Sequence, residues 1–190
     1  MGWFSDDIET MEQLFIHSLE DMYFSERQIE KALPDLTAKA SDAELRRALQ
    51  AQLRVTKMRI KRLEQAYKKL LRIPQGVRSR AIEGILDEAS EIASDVADKV
   101  VLNAALIAAA QTIEHHQITR YGTLTAWARV LGHQEVARLL HANLKEDKAM
   151  DKRLNDIAKR KINKKAVTRK PEVLSPDEQL AEARLGIPVV

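Results

Sequence analysis

The sequence predicts an all-α fold: a four-helix bundle that uses one helix pair twice. Three observations carry this. Only six Gly and five Pro in 190 residues leave too little turn material for an all-β sandwich or barrel. Apolar residues recur at helical spacing, beginning with Phe15, Leu19, Met22, Ile29 and Leu33. The chain also falls on itself without gaps when shifted by 91 residues. Glu44, Arg47, Leu49, Ala51, Leu53, Lys57, Lys61, Arg62 and Leu63 meet Glu135, Arg138, Leu140, Ala142, Leu144, Lys148, Lys152, Arg153 and Leu154. The same shift sets Ile16 on Ile107, Leu33 on Leu124 and Glu26 on Gln117.

Each element has its own local signals. Thr10 and Gln13 form a capping box that starts the first helix, and Pro34 is expected to kink or loosen its last turns. Ser41 and Glu44 read as a second capping box, opening a helix that runs to about Leu71 and stops at Pro74 and Gly76. A third helix is expected over about 78–96, a fourth over 101–130 ending before Gly132, and a fifth over 134–160. A short sixth helix is expected at 176–185, capped by Ser175, with Pro176 first and Gly186 past its end. The chain thus divides into an N-terminal arm (1–9), a helical bundle (10–162) and a basic linker and tail (163–190), with 163–174 read as linker.

Helices 1–2 and 4–5 are then two copies of one antiparallel pair, and helix 3 bridges them. Two helix pairs joined by one long crossover are the layout of ferritin-like bundles.

Charge is unevenly spread. Residues 159–170 hold seven Lys/Arg and no acid, while 171–190 hold four acids against Arg184. The net +3 therefore leaves −1 for residues 1–158. A basic tail of this kind reads as a solvated helix end or as a contact to nucleic acid or anionic lipid; no aromatic residue is interleaved to stack on single-stranded bases, and no specific nucleic-acid partner is expected. The segment 171–190, acidic with an apolar end, is a candidate contact to a partner or shell.

The absence of Cys excludes disulfides, thiolate metal sites and a cysteine nucleophile, and it fits a reducing cytosol. The longest apolar run, Ala104–Ala110, is too short to span a bilayer, and the N-terminus lacks signal-peptide order. Phosphate-binding and hydrolase motifs (G-x-x-x-x-G-K-[ST], G-x-G-x-x-G, G-x-S-x-G) are absent.

A bundle with internal twofold repetition often carries two metals between carboxylates. Glu26 lies four residues after Met22 and three before Ile29, so it faces inward, where an acid is costly unless paired or metal-bound. The repeat mate of Glu26 is Gln117, which is neutral, and Glu114 lies about one turn before it. Glu146 and Asp147 lie mid-helix between Leu140 and Leu154, but their mates Val55 and Thr56 are not acids. Helix 3 adds Glu83 and Asp87. The chain contains no E-x-x-H pair. Two readings stand. Glu26, Glu114 and Glu146 converge on a metal such as iron or manganese, or they pair with Arg59, Arg54 or Lys57 and need none. Of the remaining candidates, His17 reads as packed beside the core, His133 and His141 as solvent-facing, Trp127 as core, and Trp3 as packing the arm.

Several runs resemble a known family. Met11-Glu12-Gln13-Leu14-Phe15-Ile16-His17 with Leu19, Asp21, Tyr23, Glu26 and Gln28, and then Lys31-Ala32-Leu33-Pro34, are similar to the opening of the stress-induced ferritin-like family that includes bacterial YciE and YciF. Glu83-Gly84-Ile85-Leu86-Asp87-Glu88 resembles its E-G-L-I-x-E segment. Ala104 to Gln111, Glu114-His115 and Tyr121-Gly122-Thr123-Leu124 resemble its signature. The likeness covers about 10–165. It implies a ferritin-like bundle, a homodimer, in bacterial cytoplasm under stress, with metal binding inferred from rubrerythrin-type di-iron proteins. It implies Glu26, Glu114 and Glu146 as ligands and matches Glu83 to a family acid. The chain departs from the family where Arg54, Val55 and Gln117 replace acids, which implies a degraded dinuclear site.

Overall fold

The computed structural model describes residues 7–169. Five long helices follow one another: α1 (Met11–Lys39), α2 (Ala43–Lys69), α3 (Arg80–Asp95), α4 (Lys99–Val130) and α5 (Gln134–Ile157). A π-helical turn, Ala158–Ile162, carries α5 on into α6 (Asn163–Val167). The described residues contain no strand. Helix α1 packs on α2, α2 on α5, α5 on α4 and α4 back on α1, which closes a ring of four. The crossover helix α3 lies over α1 and α4, away from α2 and α5. The predicted all-α bundle and its repeated hairpins are both present.

The ends of the helices show local chemistry at work. Thr10 Oγ1 accepts the Gln13 N–H at 3.1 Å while Gln13 Oε1 accepts the Thr10 N–H at 2.9 Å, so the first capping box is formed. Helical structure continues past Pro34 to Lys39. Pro34 removes only one amide, and the helix ends at Ala40 instead. The second expected box is not formed. Asp42 caps α2, accepting from the N–H of Glu44 and Leu45 at 2.9 and 3.2 Å. Ser41 instead joins the start of α4, its hydroxyl donating to Lys99 O at 3.0 Å. An ionised carboxylate is the stronger acceptor at a positive helix end.

Helix α2 stops before Pro74 and Gly76. The Arg72 N–H bonds Tyr67 O at 3.0 Å and the Leu71 N–H bonds Lys68 O at 3.2 Å, a Schellman closure that puts Leu71 at φ 55°. The α4–α5 turn closes in the same way, with Gly132 at φ 84° supplying the left-handed residue at little steric cost. Residues 163–167, expected as linker, are helical because the π-turn keeps Ala158 and Ile162 in the core. The expected helix at 176–185 and Trp3 lie outside the described residues.

The core falls into two apolar clusters, one toward each end of the bundle. One contains Phe15, Leu19, Met22, Leu63, Tyr121, Leu124 and Leu140. The other contains Ile29, Leu33, Leu45, Leu49, Ile113, Met150 and Leu154. Between them each of the four helices turns polar side chains inward: Glu26 from α1, Gln52, Thr56 and Arg59 from α2, Glu114 and Gln117 from α4, Asn143 and Asp147 from α5.

Candidate functional site

This polar layer is built by helical periodicity. Gln52, Thr56, Arg59 and Leu63 follow one another at three- and four-residue steps, so Arg59 takes a core-facing position. Arg54 and Lys57 leave that stripe and are exposed. Asp147 belongs to the stripe of Leu140, Leu144, Met150 and Leu154, whereas Glu146 is rotated one residue off it. Glu26, Arg59, Glu114 and Asp147 are all 0% exposed.

The Arg59 guanidinium is the cation of the cluster. Its Nη1 stands 2.7 Å from Asp147 Oδ1 and donates to Gln117 Oε1 at 3.4 Å. Its Nη2 lies 3.8 Å from Glu114 Oε2, and its Nε lies 3.7 Å from Glu146 Oε2. Glu26 Oε1 accepts from Gln117 Nε2 at 2.8 Å and from the Tyr121 hydroxyl at 2.7 Å. Gln52 Nε2 donates to Glu114 Oε1.

Three buried acids thus face one buried guanidinium, and burial penalises their charged forms. It pushes the Glu114 carboxyl up to about 8 and the Asp147 carboxyl up to about 9, against the opposing pull of Arg59. Burial raises Glu26 as well, again against Arg59. Burial alone would lower Arg59, but the carboxylates of Glu26, Asp147 and Glu114 outweigh it and hold the guanidinium firmly protonated. Glu26 Oε2 and Glu114 Oε2 make no hydrogen bond.

The four sequence-predicted acids go to three places. Glu26 and Glu114 meet in the central layer. Glu146 sits at its edge, half-buried, where Arg62 holds it by two bonds: Nη1 to Oε2 at 2.7 Å and Nη2 to Oε1 at 2.6 Å. Glu83 lies on α3 and pairs with Arg78 at 2.8 Å, and none of its hydrogen bonds or ion pairs reaches the central layer. The inward acid of α5 is Asp147, and the stripe it shares with Leu140 and Leu144 was the signal for it. No histidine belongs to the cluster. His133 is half-buried rather than solvent-facing: it pairs with Glu12 at 3.0 Å and stacks on Phe15. His17 is exposed. The described residues hold no group of three or more His, Cys, Asp or Glu arranged to hold a metal ion.

Several known proteins share this chain's sequence and architecture. YciF of Escherichia coli K12 is 38% identical over 161 residues, which are 84% of this chain and 97% of YciF. The crystal structure of that stress protein superposes with a TM-score of 0.79, covering 83% of this chain and 99% of YciF. YcfI of Rhodopseudomonas palustris is 48% identical and also scores 0.79, covering 80% of this chain and 98% of its own. A protein from Xanthomonas campestris shares the fold at a TM-score of 0.62 and 18% identity, covering 80% of this chain and 92% of its own. The family described as "Domain of unknown function (DUF892)" matches residues 10–167, and the chain belongs to that family.

Proposed function

We propose that this protein is a non-catalytic stress-response bundle of ferritin-like descent, in which an arginine and protons do the neutralising that a metal pair does in di-iron relatives. The observation that carries this reading is Arg59, wholly buried, with Nη1 2.7 Å from Asp147. A dinuclear centre needs hard anionic donors around two vacant positions. Here the nearest acid is taken by a guanidinium, a carbonyl-bearing Gln117 stands where a second acid would be, and Val55 offers no ligand. The donor set does not fit two resident iron or manganese ions.

The remaining imbalance is met by keeping carboxyl groups protonated, as burial favours. A closed ionic layer of this kind fixes helix register and gives no substrate a vacant coordination position. Self-association as a homodimer in the cytoplasm is the corresponding mode of action; the structural-protein description of YcfI supports the non-catalytic part of this reading.

The test is thermal unfolding of metal-free protein with and without anaerobic Fe(II). A tight resident ion stabilises by mass action. An unchanged midpoint, with the dimer retained in sedimentation, supports this reading. A clear rise that disappears in Glu26→Ala supports the metal reading instead.

A further inference from the structure

The outer face of α2 and α5 carries a pattern that the buried centre does not use. On α2, Arg47, Arg54, Lys61 and Lys68 are spaced seven residues apart and all are exposed. Their repeat mates on α5 and its π-turn, Arg138, Lys145, Lys152 and Lys159, are also exposed cations at the same spacing. Seven residues are two helical turns less about 20°, so each set forms a nearly straight stripe with one charge every 10 Å or so. Each stripe runs for about 31 Å.

The helices are antiparallel. Lys69 pairs with Glu135 at one end and Arg160 with Glu44 at the other. The stripes therefore line up in rungs: Lys68 opposite Arg138, Lys61 opposite Lys145, Arg54 opposite Lys152 and Arg47 opposite Lys159. At the end of the face that holds Lys61, Lys68 and Arg138, a groove of about 810 Å³ has Met58, Leu139 and Ala142 in its lining.

Most of these charges are uncommitted. Among the described residues only Arg138, 3.8 Å from Glu135, and Lys152, 2.6 Å from Asp156, have a carboxylate within 4.0 Å. Acids are concentrated on the opposite side, where α3 has Glu83, Asp87, Glu88, Glu91 and Asp95 against Arg80. Inside the bundle the repeat mates have become chemically different, as in Glu26/Gln117, Thr56/Asp147 and Arg59/Met150. Outside, the cations recur in both halves. Folding supplies no reason for eight exposed cations in register, because exposed charges contribute little to stability.

We propose that the α2/α5 face binds the phosphate backbone of double-stranded nucleic acid without reading its sequence. Regularly spaced cations along a straight rod, all but Arg138 and Lys152 without a carboxylate within 4.0 Å, match a rod of regularly spaced phosphates. The face has no exposed aromatic side chain to stack on unpaired bases. Met58 is its only large exposed apolar residue, too little to insert into a bilayer. An acidic protein partner is less well matched, since the face offers none of the aromatic anchors typical of such interfaces. Of the basic run 159–170 this surface uses Lys159 alone, and it does not depend on what neutralises the centre.

The experiment is fluorescence anisotropy with full-length protein and a mixed-sequence duplex of about 30 base pairs, titrated at several salt concentrations. Each neutralised phosphate contributes about −0.9 to the slope of log K against log salt. The variant Arg54→Gln/Lys61→Gln/Lys145→Gln/Lys152→Gln changes only exposed side chains. It should melt like wild type, bind at least tenfold more weakly at low salt and lose about 3.6 units of slope. A tail variant, Lys164→Gln/Lys165→Gln/Lys170→Gln, should keep the wild-type slope, and a second duplex of different sequence should bind equally well.

Four results overturn the proposal: no duplex binding at low salt, an unchanged slope in the stripe variant, loss of binding in the tail variant alone, or tighter binding to phosphatidylserine vesicles or polyglutamate than to duplex.

Discussion

Glu26 and Gln117, residues at the same position of the two sequence repeats, hydrogen-bond to each other at the centre of the bundle. Gln117 Nε2 donates to Glu26 Oε1 at 2.8 Å. Two copies of one helix pair bring their equivalent positions together across the internal twofold axis. Had both remained acids, two carboxylates would face each other in a buried layer. One is an amide, which donates to the other. Gln117→Glu is therefore expected to destabilise the protein by about 1–3 kcal/mol at pH 7, because it replaces a donor with a second buried acid. Urea midpoints should show this loss and show most of it recovered near pH 5, where the new acid is protonated.

Wild-type stability should itself fall as pH rises. Glu26, Glu114 and Asp147 are held above their ordinary values by burial, Glu114 at about 8 and Asp147 at about 9. The folded protein therefore binds more protons than the unfolded chain between about pH 4.5 and 9, and stability declines across that window. Each 1 kcal/mol moves the melting midpoint by roughly 2–4 °C in a chain of this size. Calorimetry should find a higher midpoint at pH 5.5 than at pH 9. A flat or rising profile would show that the carboxyl groups are not neutral in the fold.

Arg59→Met copies into α2 the residue that α5 carries at the matching position, Met150. Arg59 is the only buried cation among the described residues, and removing it leaves Glu114 and Asp147 without a counter-charge, a change that costs about 3–5 kcal/mol when one partner of a buried pair is lost. The loss should be largest above pH 8. Chemical denaturation at pH 6 and pH 9 measures both its size and its pH dependence.

Leu71 is 95% exposed and holds φ 55° at the end of α2. A left-handed backbone costs a residue with a Cβ roughly 1–2 kcal/mol, and this leucine buries nothing in return. Leu71→Gly should therefore stabilise the protein by about 0.5 kcal/mol, once the extra chain entropy of glycine is subtracted. A small rise in the urea midpoint with unchanged slope is the expected result.

The residues differ in how much of this they reveal in sequence. Phe15, Leu19, Met22, Ile29 and Leu33 announce α1 by spacing alone, and all are buried. The repeat sets Glu26 and Gln117 at the same position of the two hairpins, and the fold brings them into hydrogen-bond contact. The cap of α2 is harder to read, because Ser41 and Asp42 are adjacent good caps and the choice depends on the start of α4, some 60 residues away, which takes up Ser41. Among Arg54, Lys57 and Arg59, composition does not separate the inward cation from the outward two. The stripe through Gln52, Thr56 and Leu63 does separate them, as the stripe through Leu140 and Leu144 separates Asp147 from Glu146. The pairing of Glu83 with Arg78 depends on the course of the α2–α3 connection, which no periodicity specifies.

In the proposed function Arg59 and protons, rather than metal, neutralise the buried acids. Metal content per chain measures this most directly, determined by elemental analysis after anaerobic reconstitution with Fe(II) and Mn(II) and exhaustive gel filtration. Far less than one ion per chain is expected in wild type, with no change in Glu26→Ala. One or two retained ions per chain, lost in Glu26→Ala or Glu114→Ala, would contradict it.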